Sequence, residues 1–111
     1  MSMFINPTTI KINRYAQTNT KGRISITLTE SFDVEAEKPQ PASGSFIENN
    51  PELRNAQEVL EVLCEKTAEI TVGVDGAPTD KVLYDAKEYD VYKIWDLDDG
   101  LLPHYEMVIK R

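Results

Sequence analysis

Apolar and polar residues alternate along most of this chain with a period of two, the signature of strands. The clearest run is Arg23 to Thr29, where Ile24, Ile26 and Leu28 are separated by Ser25, Thr27 and Thr29. Successive strand side chains point to opposite faces, so this run predicts a half-buried antiparallel strand. Phe32, Val34 and Ala36 carry the period past Glu30-Ser31, which reads as a bend or bulge. Upstream, Thr8 to Tyr15 alternates weakly around Ile10 and Ile12, and Asn19-Thr20-Lys21-Gly22 suits a hairpin turn.

The last third predicts three more short strands joined by two turns. Val82-Leu83-Tyr84 leads through Asp85-Ala86-Lys87-Glu88 into Tyr89 to Trp95. There Tyr89, Val91, Lys93 and Trp95 share one expected face, and Asp90, Tyr92 and Ile94 the other. Asp98-Asp99-Gly100 tolerates positive φ and turns the chain into His104 to Arg111, where Tyr105, Met107 and Ile109 form the face to be buried. A terminal strand of this kind needs a partner, so it is expected to close a sheet or barrel.

The middle is less regular. Pro39 and Pro41 cannot donate to a ladder, so residues 39–52 read as one long loop whose apolar anchor is Phe46-Ile47. Residues 53–64 fit two elements. Leu53, Ala56, Val59, Leu60 and Leu63 recur at helical spacing after Asn50-Pro51, while Val59-Leu60-Glu61-Val62-Leu63 also suits a strand. Ile70 to Val74 reads as a short strand and Asp75 to Asp80 as a turn or loop. The expected fold is mainly β: a small antiparallel, partly open barrel or sandwich with one long internal loop.

Length adds that 111 residues make one domain, residues 1–111, with a flexible N-terminus at 1–7. Such a chain buries roughly two-thirds of its unfolded surface, enough for a core without staples. No apolar run approaches the roughly 20 residues of a membrane span, and the first residues lack the basic and apolar regions of a signal peptide. A single cysteine, Cys64, excludes an internal disulfide and suits a reducing compartment. The net charge of −7 is carried entirely by residues 56–111, since residues 1–55 are balanced. That sign repels phosphates and argues against tight nucleic-acid binding, although an acid excess also serves simple solubility.

Catalytic and metal chemistry find little support. One Cys and one His cannot supply a structural zinc site. Asp96, Asp98, Asp99 and Gly100 imitate half of a calcium loop, but the glycine comes one place early and Met107 stands where the bidentate Glu belongs. His104, the only histidine, lies beside Pro103 with no positioned nucleophile. No catalytic, cofactor or metal residue is therefore assigned. Trp95, His104 and Tyr105 are the interface candidates, aromatics being enriched at binding hot spots.

Several short elements, in order, resemble one family. They are Gln40-Pro41-Ala42-Ser43-Gly44, Pro51-Glu52-Leu53-Arg54, Val59-Leu60-Glu61-Val62, Leu83 to Val91, Trp95-Asp96, and Pro103-His104-Tyr105 with the strand ending at Arg111. Over roughly residues 22–111 the chain resembles the small head–tail connector proteins of tailed bacteriophages and prophages, of the head-closure or stopper type. The resemblance implies a β-barrel that assembles as a homo-oligomeric ring in the virion neck, between portal or adaptor proteins and tail proteins. DNA would pass through without specific binding, and no cofactor or membrane is involved. It also implies that residues 53–64 are mainly strand. The loop residues Pro39, Gln40, Pro41, Ser43, Gly44, Phe46 and Ile47 would face the channel or a neighbouring subunit. Ala86 stands where a turn glycine is common, so the 85–88 turn is expected to differ in type. The related alternative is a tail-completion or tail-terminator protein. The rival of another class is a monomeric acidic module that inhibits a basic enzyme.

Overall fold

Among the described residues seven antiparallel strands form one sheet, in which the strands lie side by side as second, first, fifth, sixth, seventh, fourth and third in chain order, and a further pairing of the second with the fourth rolls it into a ring of strands. The computed structural model describes residues 4–66, 70, 80–97 and 103–111. The strands are β1 (Pro7–Thr20), β2 (Arg23–Glu37), β3 (Gln40–Pro41), β4 (Val59–Glu65), β5 (Asp80–Tyr84), β6 (Lys87–Leu97) and β7 (His104–Lys110). Helix α1 (Gly44–Asn49) and a 3-10 turn (Pro51–Asn55) lie between β3 and β4.

The expected alternation fills the interior. Ile10, Ile12, Val34, Ala36, Leu60, Val62, Cys64, Val82, Tyr89, Val91, Tyr105, Met107 and Ile109 form one buried cluster, joined by Ile70. The final strand is central, paired to β4 on one side and β6 on the other. Closure on the remaining side is interrupted. Among the described residues β2 meets β4 only at Ala36↔Cys64, and β3 resumes at Gln40↔Glu61 and Pro41↔Leu60. Between them Lys38 and Pro39 belong to no strand, and among the described residues Val62 and Leu63 have no ladder partner on this side. Glu65 reinforces the join, its Oε1 accepting from the Glu35 amide at 2.9 Å.

Two bulges overturn the expected facing of side chains. Arg14 pairs with Glu30 but Tyr15 with Leu28, which leaves Thr29 as the extra residue, one place before the expected irregularity. A bulge shifts the parity of its strand. Phe32, Val34 and Ala36 therefore face the core, whereas Ile24, Ile26 and Leu28 face outward and are 64%, 64% and 49% exposed. The half-buried strand expected at 23–29 is thus corrected to an exposed one. The second bulge is Tyr92, since Val91 pairs with Ile109 and Lys93 with Val108. It separates Trp95 from Tyr89 and Val91. Ile94 packs against the interior and Trp95 against the outer wall.

Residues 39–52 carry more structure than the expected loop. Gln40 and Pro41 pair with β4 and Pro39 is buried. Ser43 caps α1, its Oγ accepting from the Phe46 amide at 3.2 Å. Phe46 and Ile47 do act as anchors, packing with Leu53, Val59 and Val108 on the outer wall. Residues 53–64 divide: the 3-10 turn ends at Asn55, and the implied strand holds from Val59. At the N-terminus, the Ile5 and Asn6 amides both donate to the Glu37 carboxylate. Of the strand expected at 70–74, residues 71–74 lie outside the described residues, as do the turn at 98–100 and residues 75–79 of the turn expected at 75–80, whose last residue, Asp80, instead opens β5.

Candidate functional site: an exposed β arm

The outer half of the β1–β2 hairpin stands away from the barrel. Among the described residues β5 pairs with β1 only at Lys11 to Arg14, and from Tyr15 to Thr20 the only ladder partner of β1 is β2. Six pairs, from Tyr15↔Leu28 to Thr20↔Arg23, form a ribbon about 20 Å long. The radius of gyration is 14.8 Å, where a compact chain of this length gives about 13 Å. Lys21 and Gly22, at φ 53° and 80°, make the two-residue tip.

One face of the ribbon is formed by Ile24, Ile26 and Leu28 with their partners Asn19, Gln17 and Tyr15. An isolated two-stranded ribbon is marginal in water, so its root needs bracing. Arg14 supplies this, with Nε and Nη2 each 3.0 Å from the two carboxylate oxygens of Asp80. Asp80 is only 2% exposed, and a bidentate guanidinium satisfies it. Arg14 also lies over the Phe32 ring, 5.4 Å from its centre. On the outer side the Tyr15 hydroxyl and Asn13 Nδ2 donate to Glu88 Oε2 at 2.7 and 3.2 Å. The carboxylate bond, with a smaller contribution from burial, raises the Tyr15 pKa above its ordinary value.

The expected site residues fall elsewhere. Of the segment Pro39 to Ile47, Gln40 and Pro41 pair with β4, and Phe46 and Ile47 pack on the outer wall. Trp95 meets Phe46 edge-on at 6.4 Å, and Lys93 covers its ring at 5.3 Å. Tyr105 is 5% exposed in the core beneath Lys66 and is corrected from interface to interior. His104 is a half-buried strand residue paired with Glu65 and Leu97. Sequence reasoning missed the arm, although a signal was present. Counting back from Lys21-Gly22 sets polar Asn19 and Gln17 opposite Ile24 and Ile26, a poor match for a core face.

Elsewhere the wall is tied by acid–tyrosine contacts. The Tyr92 hydroxyl meets Glu52 and Asn50, and the Tyr89 hydroxyl meets Glu58. The bond to Glu52 pushes the Tyr92 pKa up to about 12. Among the described residues no three of His, Cys, Asp and Glu gather as a metal set. No helix among them is long and apolar enough to cross a membrane. The chain matches no protein-family model, and no curated protein matches it.

Proposed function

We propose that this chain is a structural assembly protein of the phage neck, one subunit of a ring that closes the filled capsid and receives the tail. The observation that carries this reading is the braced arm, which presents three apolar side chains to water. Side chains that leave a hairpin face uncovered contribute nothing to the isolated fold, and contiguous exposed apolar patches mark binding surfaces. The uneven charge agrees with it, since an acidic wall lets DNA pass without adhering. The resemblance of residues 22–111 to head-closure proteins supplies the remaining support. Co-expression with the proteins encoded beside it, followed by electron microscopy, tests the assignment. The expected particle is a ring of this chain seated on a portal. A one-to-one complex with a single basic enzyme would replace this reading with the inhibitor one.

A further inference from the structure

Resting on that reading, we infer that the arm of one subunit docks into the interrupted closure of a second copy of the same chain. The receiving surface lies at the break between the β2–β4 and β3–β4 pairings, beside Lys38 and Pro39. It is a groove of about 150 Å³ lined by Glu37, Lys38, Gln40, Glu61, Leu63 and Glu106. Leu63 is 37% exposed there, and among the described residues β4 has a ladder partner at Glu61 and at Cys64 but none between on that side.

The arm fits this groove in charge and in kind. From Tyr15 to Thr29 its only charged residues are Lys21 and Arg23, whereas the groove sets three carboxylates against one lysine. Among the described residues Lys21, Arg23, Glu61 and Glu106 form no ion pair or side-chain hydrogen bond, so both ends of the match are free. Ile24, beside the tip, supplies an apolar knob for Leu63, and the edges of the ribbon offer backbone groups to that part of β4. Two arms laid on each other would cover the same isoleucines, but would bring four unpaired cations together. Arm and groove are different surfaces of one chain. Their contact is therefore head-to-tail, the kind that builds rings when its rotation closes.

The test mixes two variants of the full chain, each with one added cysteine, under mild oxidation: Ile24→Cys in one batch and Glu61→Cys in the other. Cys64 is buried and is carried by every variant and control alike, so any background from it is common to all the mixtures. The mixed disulfide is expected at about tenfold the yield of a control pairing Ile24→Cys with Glu48→Cys on the exposed face of α1. Adding Lys21→Glu and Arg23→Glu to the arm partner should remove it. Glu106→Lys on the groove partner should then restore it. Equal yield with both positions, a predominant Ile24→Cys homodimer, or indifference to charge reversal would overturn the docking. The same Lys21→Glu/Arg23→Glu chain is then offered to the portal. Rings that still form there would reject the arm contact and leave the ring assignment standing. Wild-type chain that forms no ring at all would reject the assignment itself.

Discussion

Ala86 holds φ at 61°, beside Asp85 at 53°, in the two-residue turn between β5 and β6. A left-handed residue with a Cβ costs roughly 1–2 kcal/mol. Ala86→Gly relieves this strain but adds freedom to the unfolded chain, so a net gain of about 0.5–1 kcal/mol is expected. A rise in the urea midpoint at unchanged slope would show it, and a fall would mean that the turn is not strained. Tyr92 sets a pH dependence. Its hydroxyl donates only when protonated, and its folded pKa, about 12, lies above its ordinary 10.0. The stabilisation is therefore complete below pH 10 and lost as pH rises through about 12. The thermal midpoint of Tyr92→Phe should fall below wild type at neutral pH, and the difference should close across that window. A pH-independent difference would indicate lost packing instead.

The elements show what alternation conveys and what it hides. Period-two patterning located both halves of β2, and the strand of residues 104–110 lies where its pattern put it. Periodicity has no sign for a bulge, however. Ile24 and Val34 look equivalent in sequence because Thr29 changes the parity without changing the spacing of apolar residues. Tyr92 does the same for Trp95. The helix in the 39–52 segment was missed because a six-residue helix between prolines is set by one cap, Ser43, and by docking of Phe46 on a wall built from distant strands. The arm and the barrel should differ sharply under mutation. Ile10→Ala, in the core, should cost about 2–5 kcal/mol. Ile26→Thr should change stability by no more than about 0.5 kcal/mol. Comparable losses from both in chemical denaturation would mean that the arm is packed in solution.

At the scale of the molecule, the strand ring is continuous through β1, β5, β6, β7 and β4 but, among the described residues, joins β2 to β4 through a single residue pair. Cys64 belongs to that pair, is fully buried, and is the only thiol in the chain. A belt fastened at one hole slips there first. Local opening at such a place requires far less free energy than global unfolding. The rate at which a thiol reagent labels Cys64 therefore becomes a clock for unfastening of the barrel, read without perturbing it. Glu65→Ala removes the carboxylate that holds the Glu35 amide. It should speed labelling about fivefold, the equivalent of ~1 kcal/mol for one hydrogen bond, while the thermal midpoint moves little. Labelling that instead follows global unfolding at every denaturant concentration would show that the belt opens only when the whole chain does. A subunit with such a clasp can yield to an incoming neighbour at one place while the rest of its wall stays shut.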